Sequence, residues 1–327
     1  MMSKRFFAFF LIFCLTFSVA GCAKESPPPS NDGLNIVATV FPAYDFAREI
    51  AGEYANITLL IPPGTEIHGF EPTPQDVIRI QDCDLLICNG GESEAWLEEI
   101  LGGIDWEIPT VRMMDCVETV EEETKEGMQE AGHANAHEGG EHGHDKESKH
   151  EKEFDEHVWS SPVNAALICS EICRAVCAAD KSNASAYIKN SGRFISELNE
   201  LDSRIRTIVE NASCRTVIFA DRFPVRYFVE EYGLDYYAAF PGCAEDTEPS
   251  AKTVAFLIDR VREYNIPAVF YIEFSNEKMA DIICEDTGCK KLVFYSCQNI
   301  SAKEFASGVT YLDLMNVNAD NLREALG

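Results

Sequence analysis

Basic residues are scarce in this chain. Its 327 residues include 27 lysines and arginines against 55 aspartates and glutamates, which gives a formal net charge of −28 at pH 7. A protein that binds nucleic acid needs a basic surface to contact the phosphates, so the sequence argues against a nucleic-acid partner. An acidic surface raises the local concentration of cations, although it is also a common solubility feature.

Long apolar runs are also rare. One charge-free run covers residues 6–19 and follows Lys4 and Arg5. It has the length of a signal-peptide core and is shorter than the roughly 20 residues that a comfortable membrane span needs. No second stretch approaches that length. We therefore interpret residues 1–21 as an export signal that precedes a soluble body.

The end of this run resembles a bacterial lipobox. Small residues lead to a cysteine in Val19-Ala20-Gly21-Cys22, and the polar, Pro-rich stretch "AKESPPPSNDG" follows. In this interpretation Cys22 is lipidated and residues 22–33 are a flexible tether. The protein is then extracytoplasmic and anchored to the membrane by lipid. The alternative is an ordinary signal peptide in which Cys22 has no role.

Motifs of hydrolytic enzymes are absent. The sequence has no HExxH helix, no GxSxG elbow and no paired Asp/His phosphatase cluster. The cysteines lack the two-residue spacing of a zinc ribbon. Cys169, Cys173 and Cys177 recur every four residues, which places them along one face of a helix as small core residues. We predict no disulfide framework.

Histidine is scarce and unevenly distributed. The chain has seven histidines. Five of them lie in one acidic, Gly-containing segment: His133, His137, His142, His144 and His150. Between Val120 and Phe154 the only apolar residue larger than alanine is Met128, so we predict a solvated loop over residues 118–153. Its imidazoles would form a weak, fast-exchanging metal collector, with a zinc sensor and a polar spacer as open alternatives.

The rest of the chain alternates strand-like and helix-like segments. Short apolar runs predict buried strands. They cover residues 34–40, 56–62, 83–89, 110–116, 215–220, 234–240, 268–274 and 291–297. This βα series predicts an α/β fold of mostly parallel sheets flanked by helices. We expect two lobes, 34–182 and 213–327, joined by a long rigid helix over 183–212, with a ligand site in the cleft between them.

Two histidines outside the loop lie in specific contexts. His68 follows a strand in "LLIPPGTEIHGFEPTPQDV", and His157 precedes a helix in "DEHVWSSPVNA". Both stretches resemble the metal-binding lipoproteins of bacterial zinc and manganese ABC importers. The family motifs are P-G-x-x-x-H-x-[FY]-E-P-[ST]-x-x-D and D-x-H-x-W-x-[SD]-P. The chain matches the first from Pro63 to Asp76 and the second from Asp155 to Pro162.

The resemblance covers essentially the whole mature chain and implies a function. Members capture Zn²⁺ or Mn²⁺ and deliver it to an ABC permease, and some are linked to cell adhesion. In the family, the histidines at the positions of His68 and His157 are the first two metal ligands. Zinc-importing members typically carry a His-rich insertion before the second of these histidines. We therefore expect a monomeric zinc receptor, with Mn²⁺ as the alternative metal, and no enzymatic activity.

The second lobe departs from the family pattern. It has no histidine, and the third ligand position falls at or beside Ala220, with Asp221 next to it. The fourth position falls near Gln298. We expect His68, His157, Asp221, Gln298 and Glu66 as metal ligands, although Asp221 is equally suited to capping a helix or pairing with an arginine. Further oxygen candidates are Glu245 and Glu248, whereas Glu273 is expected to orient a ligand or the lobe interface.

Two other functions stay open at this point. One is a surface protein for metal storage or adhesion, whose cleft site has degenerated. The other is an extracytoplasmic metallohydrolase, in which Glu66 or Asp221 would serve as the general base. Storage predicts several weak sites that are all lost with the loop, whereas a receptor predicts one tight site that needs His68.

Overall fold

Two parallel sheets of four strands organise the protein in the computed structural model. The structure describes residues 33–65, 67, 69–129, 154–242, 244 and 249–327. The first sheet has the strand order β2-β1-β3-β4 and the second the order β6-β5-β7-β8. Every strand pair is parallel, and helices lie in the connections. The α/β fold expected from the alternating pattern is confirmed.

The first sheet belongs to the N-terminal part of the chain, which we call the first lobe (34–182). Its strands are β1 (Leu34–Ala38), β2 (Ala55–Leu59), β3 (Leu85–Cys88) and β4 (Thr110–Arg112). Its helices are α1 (Phe41–Ala51), α2 (Pro74–Gln81), α3 (Ala95–Gly102) and α4 (Pro162–Ala179). The strand expected over 110–116 is shorter than predicted, because Met113–Cys116 forms a 3₁₀ turn.

The second sheet belongs to the C-terminal part, the second lobe (213–327). Its strands are β5 (Thr216–Phe223), β6 (Asp235–Pro241), β7 (Ala268–Ile272) and β8 (Lys290–Phe294). Its helices are α6 (Arg226–Tyr232), α7 (Ala251–Tyr264), α8 (Lys278–Thr287), α9 (Ala302–Ser307) and α10 (Tyr311–Leu326). Helix α5 (Ala184–Glu210) precedes this lobe in the chain. An apolar cluster fills the space between this sheet and helices α7 and α8.

A long helix lies between the two lobes in sequence. Helix α5 (Ala184–Glu210) has 27 residues and spans about 40 Å at 1.5 Å per residue. It packs against α1 and α4 of the first lobe and against α6 and α10 of the second. Its buried side chains, from Tyr187 to Val209, follow helical spacing. The lobe boundaries at 182 and 213, with this helix as the linker, stay a prediction.

Helix α4 is apolar enough, by length and composition, to pass as a membrane span within the described residues. Its packing indicates a core helix instead, since Ile168, Cys169 and Ile172 are fully buried against the rest of the fold. Cys169 is buried, and Cys173 and Cys177 are half-buried on the same helix. The prediction that these cysteines behave as core residues is confirmed.

Residues 117–129, the segment before the His-rich insertion, contact the second lobe. The N–H of Val120 donates to Tyr227 Oη at 3.3 Å, and the N–H of Gln129 donates to Ala239 O at 2.8 Å. This packing differs from the expected loop, because the chain from residue 118 to 129 makes specific contacts with an aromatic hydroxyl and a strand carbonyl. The five loop histidines lie outside the described residues, as does Cys22.

Buried hydrogen bonds connect the lobes. The indole Nε1 of Trp159, which precedes α4, donates to Ser296 O after β8 at 2.9 Å. The hydroxyl of Tyr311 donates to Trp159 O at 2.7 Å, and the N–H of Tyr311 donates to Asp45 Oδ2 at 2.7 Å. Trp159, Tyr311 and Asp45 are each at most 1% exposed. Water therefore does not compete for these contacts.

We predict that Trp159→Phe lowers the free energy of unfolding by about 2 kcal/mol, because a buried Ser296 carbonyl loses its donor while an aromatic ring remains. Urea unfolding measures the change. Trp106→Phe is the matched control, since Trp106 is 57% exposed and its replacement is expected to cost less than about 0.5 kcal/mol. Equal losses in the two variants would contradict the structural role of the Trp159 bond.

Candidate metal centre

His157 lies at the boundary of the two lobes, just before α4. Its side chain is 1% exposed. Asp155 Oδ1 lies 3.1 Å from His157 Nδ1 and accepts the backbone N–H of His157 at 2.8 Å. With Nδ1 donating to this carboxylate, the lone pair of the neutral ring is on Nε2. Asp155 therefore fixes both the orientation and the tautomer of the imidazole, as carboxylates do behind metal-binding histidines.

The Nε2 atom of His157 is buried and has no hydrogen-bond partner among the described residues. Buried polar atoms in native proteins are nearly always paired, so this atom points to a ligand. The second lobe closes beside it: a Cβ added at Gly242 would lie 3.4 Å from His157 Cε1 and 2.9 Å from Phe223 O. A neutral imidazole with a free, buried lone pair fits a zinc ion.

The protonation of His157 is controlled by its acidic surroundings. Burial lowers the pKa of the imidazole, but the charge and hydrogen bond of Asp155 and the charges of Glu156 and Glu122 together outweigh that effect. The pKa of His157 therefore lies above its ordinary value. Because a metal binds the neutral ring, metal binding at this site competes with a proton and weakens in acid.

The other residues of the second motif have structural roles. The ring of Trp159 contacts the His157 ring edge-on, with centroids 5.6 Å apart. Ser161 is the N-cap of α4, and its hydroxyl accepts the N–H groups of Val163 and Asn164. Asp155 O accepts the hydroxyl of Tyr227 from the second lobe at 2.7 Å. The motif thus combines one predicted metal ligand with the contacts that hold it in place.

Glu66 and His68 lie outside the described residues, but both sides of their loop are described. Asn299 Nδ2 of the second lobe donates to Pro62 O at 3.1 Å and to Thr65 O at 2.8 Å. On the other side, Thr73 and Asp76 form a reciprocal capping box at the start of α2. The Thr and Asp of the first motif therefore begin a helix, and the loop is attached to the second lobe.

Asp221 lies on β5, where the register with β6 shifts between Phe219 and Arg222. Its Oδ1 accepts the N–H of Arg222 at 2.8 Å, and its Oδ2 accepts the N–H of Ile272 at 3.3 Å. Burial raises the pKa of this carboxyl. It lines a cavity of about 330 Å³ in the second lobe, together with Phe274. No hydrogen bond joins Asp221 to His157, which is also a described residue.

Gln298 lies in the loop after β8. Its side chain is half-buried, and its N–H donates to Ser296 Oγ at 3.2 Å. Glu273 accepts both the N–H and the hydroxyl of Ser296, at 2.7 and 2.5 Å. This contact agrees with the expected orienting role of Glu273, because Ser296 O is also the acceptor for Trp159. In sequence, Gln298 directly precedes Asn299, whose side chain contacts the loop of His68.

Within the described part of the chain, no three His, Cys, Asp or Glu side chains form a metal-binding cluster. His157, His68, Glu66, Asp221 and Gln298 all stay predicted ligands, and among them His157 has a buried side-chain atom without a partner in the described part of the chain. The motifs gave no sign of Asn299 or Gly242, because contacts across a lobe boundary leave no local pattern in sequence. The acids Glu245 and Glu248 also lie outside the described residues.

Comparison with known proteins identifies the family. Residues 36–325 match the family described as ZnuA, zinc-uptake complex component A, periplasmic. The chain belongs to the ZnuA family. This family consists of transport components rather than enzymes. The predicted resemblance to metal-importer lipoproteins is therefore confirmed.

Several relatives of this ZnuA family member are described as zinc proteins. It is 32% identical over 333 residues to the high-affinity zinc uptake system protein ZnuA of Bacillus subtilis (strain 168), with 99% of both chains covered. It is 28% identical to the zinc-binding lipoprotein AdcA of Streptococcus pneumoniae (strain ATCC BAA-255 / R6), over 95% of this chain and 59% of AdcA. The structure of the Zn(II)-bound ZnuA-like domain of Streptococcus pneumoniae AdcA matches with a TM-score of 0.72 and 26% identity, over 90% of this chain and 99% of that domain. Zinc, the expected metal, is confirmed for the relatives.

We predict that Asp155→Asn lowers zinc affinity about 10- to 100-fold, because the amide no longer fixes the tautomer and orientation of His157. Competitive titration against a chelating dye measures the affinity. Asp235→Asn, at an exposed position of β6, is the matched control for the loss of one negative charge. If both variants lose the same affinity, the effect is one of net charge, and the orienting role of Asp155 is wrong.

Two buried acids, Glu94 and Glu156, bind backbone N–H groups within residues 90–93, just before α3. Glu94 is 3% exposed, and one of its carboxylate oxygens accepts the N–H of Gly90 at 2.8 Å. Glu156 accepts the N–H groups of Glu92 and Ser93 at 2.5 and 3.0 Å. Burial raises the pKa of Glu94 to about 7, and the charge of Glu156 adds to this rise. Glu94 therefore retains its proton in the folded state well above the pH at which it ionises in the unfolded chain.

The raised pKa of Glu94 predicts a pH dependence of stability. The folded-state pKa of Glu94 exceeds the unfolded value of about 4.3. The contribution of the protonated carboxyl to the free energy of unfolding is therefore lost as pH rises from about 4.5 to about 7. The Glu94→Gln variant has no carboxyl to ionise and does not show this loss. The free energy of unfolding of the variant, relative to that of the natural protein, is therefore expected to increase by up to about 3 kcal/mol between about pH 4.5 and about pH 7. Urea unfolding at both pH values measures it, with Glu99→Gln as the exposed control. A difference that is independent of pH would contradict the assignment.

Proposed function

We propose that this protein is an extracytoplasmic receptor that captures Zn²⁺ between its two lobes and delivers it to the permease of an ABC importer. The observation that carries this proposal is the buried, unpartnered Nε2 of His157, which Asp155 holds at the lobe boundary. In the proposal residues 1–21 direct export, and lipid on Cys22 anchors the receptor to the membrane. The receptor acts as a monomer, and Mn²⁺ is the alternative metal.

In this proposal His68 is the second imidazole ligand. Support comes from the attachment of its loop to the second lobe, since Asn299 binds the carbonyls of Pro62 and Thr65. Gln298, the neighbour of Asn299, is then the second-lobe residue best placed to offer an oxygen. Asp221 is a poorer candidate, because its carboxylate already accepts backbone N–H groups inside the second lobe. Glu66 is the remaining acid of the loop.

Capture and release involve small movements in this proposal. Helix α5 packs on both lobes, so it limits their separation to small rearrangements around the buried contacts of Trp159. A site with two imidazoles and oxygen ligands suits Zn²⁺ and has no thiolates that would slow its release. The acidic surface of the chain attracts the cation from solution.

The His-rich insertion is proposed to collect zinc for this site. Both of its ends are described: Glu121 pairs with Phe154 in an antiparallel bridge, and the N–H of Asp155 donates to Val120 O at 2.9 Å. The insertion therefore begins and ends beside Asp155, two residues from His157. Imidazoles at short spacing give weak sites that exchange metal quickly. Metal bound there has a short path to the cleft.

Competitive zinc titration of residues 34–327 tests this proposal. The natural chain is expected to bind one tight equivalent and further weak ones. His68→Ala and His157→Ala are each expected to abolish the tight equivalent, since each removes one of two imidazole ligands. Replacing His133, His137, His142, His144 and His150 by Asn keeps the loop length and charge, so the tight equivalent is expected to remain while the weak ones disappear.

The opposite result would support metal storage instead of import. If the five-residue variant loses all binding and His157→Ala changes nothing, the cleft site is absent and the receptor proposal is wrong. Delivery is tested separately in the source bacterium. Deleting the gene for this chain is expected to slow growth at limiting zinc, and the natural chain, but not His157→Ala, is expected to restore it.

A further inference from the structure

Two cysteines of the second lobe are in contact, far in sequence from the proposed metal ligands of the first lobe. Cys284 is in the last turn of α8, and Cys289 is the residue before β8. Their Sγ atoms are 3.4 Å apart. Both side chains are half-buried at the edge of the apolar cluster between the second sheet and helices α7 and α8. A disulfide has an S–S distance of about 2.0 Å, so the two atoms need to approach by about 1.4 Å.

The backbone between the two cysteines is already fixed. Gly288 ends α8 in the left-handed region, with φ of 78°, and its N–H donates to Cys284 O at 2.8 Å. The N–H of Cys289 donates to Thr287 Oγ1 at 3.3 Å. This turn holds the two thiols together without a covalent bond between them. Bond formation therefore needs rotation of two short side chains rather than a change of fold.

We propose that Cys284 and Cys289 form a reversible disulfide when the exported chain meets a small disulfide oxidant. The thiolate of one cysteine attacks the S–S bond of the oxidant, which forms a mixed disulfide and releases one thiol. The thiolate of the second cysteine attacks the protein sulfur of that mixed disulfide, which forms the Cys284–Cys289 bond and releases the other thiol. Two protein thiols are oxidised with loss of two protons, and one oxidant disulfide is reduced to two thiols.

The surroundings of the pair affect how fast it reacts. Burial and then the neighbouring Cys289 thiol raise the pKa of the Cys284 thiol. Asp281 acts in the same direction, and Lys291, which forms an ion pair with Asp281 at 2.6 Å, opposes it. Because the thiolate is the attacking species, the reaction is slow at neutral pH and faster at mildly alkaline pH.

The bond matters for metal binding, and this consequence goes beyond the proposed zinc delivery. Thiolates are strong ligands for zinc and other soft metal ions. Two adjacent thiols in the second lobe offer such ligands once they lose their protons. A disulfide is a poor ligand, so oxidation of the pair leaves zinc to the imidazole site.

A second pair of cysteines supplies a control. Cys173 and Cys177 are four residues apart on one face of α4, and both are half-buried. They lie within an unbroken helix, where both Cα–Cβ bonds tilt toward the helix N-terminus. This nearly parallel arrangement does not suit the dihedral angle of about 90° that a disulfide needs. We expect this pair to stay reduced under conditions that oxidise Cys284 and Cys289.

Alkylation after oxidation tests the proposal. Residues 34–327 are treated with oxidised glutathione at mildly alkaline pH, denatured, alkylated and digested with trypsin. Peptide 279–290 contains Cys284 and Cys289 with no other cysteine, and peptide 175–181 contains Cys177 alone. Peptide 279–290 is expected to be unalkylated and lighter by two hydrogens, with alkylation at least about tenfold lower than that of Cys177. Dithiothreitol is expected to restore double alkylation.

Cys284→Ser is the matched variant. It keeps the shape of the side chain, and Cys289 is then expected to be alkylated or to carry glutathione, without the loss of two hydrogens. Double alkylation of peptide 279–290 in the natural chain after oxidation would overturn the proposal. So would separate glutathione adducts on both cysteines, or equal protection of Cys177.

Discussion

The hydrogen bond between Asp155 and His157 is the interaction on which the proposed function depends. It lies in a region without solvent, where a carboxylate strengthens its hold on an imidazole and an unpaired nitrogen is costly. The carboxylate uses one oxygen for both the ring and the backbone of His157. The ring therefore has one orientation, and its Cε1 atom lies beside Gly242 of the second lobe. The buried ring therefore keeps one nitrogen without a hydrogen-bond partner among the described residues, which is the basis of the proposed metal site.

The contacts that support this ring come from both halves of the chain. Tyr227 of the second lobe holds the carbonyl of Asp155, and Ser296 receives the indole N–H of Trp159. Ser296 is itself held by the carboxylate of Glu273. The lobe interface thus contains a network of buried hydrogen bonds around the unpartnered Nε2 of His157, and such networks stabilise one relative arrangement over others. A rigid interface agrees with a receptor that distinguishes metals by geometry.

Much of this structure could be predicted from the sequence, because its patterns are local. Buried parallel strands read as short apolar runs, and helix α5 shows its three- and four-residue spacing directly. The motif around His157 contains both the predicted ligand and Asp155, the carboxylate that binds its ring. The contact of Asn299 with Pro62 joins residues 237 apart, and no periodicity encodes such a pairing. The orientation of Asp221 depends on the register shift in β5, which a sequence pattern does not show.

The position of Tyr311 has a consequence for the order of events during synthesis. This residue begins the last helix, yet its N–H is held by Asp45 of the first helix and its hydroxyl holds the carbonyl of Trp159. The first lobe therefore lacks one of its internal supports until nearly the whole polypeptide has been made. A chain that carries Trp159 but not Tyr311 leaves the Trp159 carbonyl without this donor, next to the ring that contacts His157.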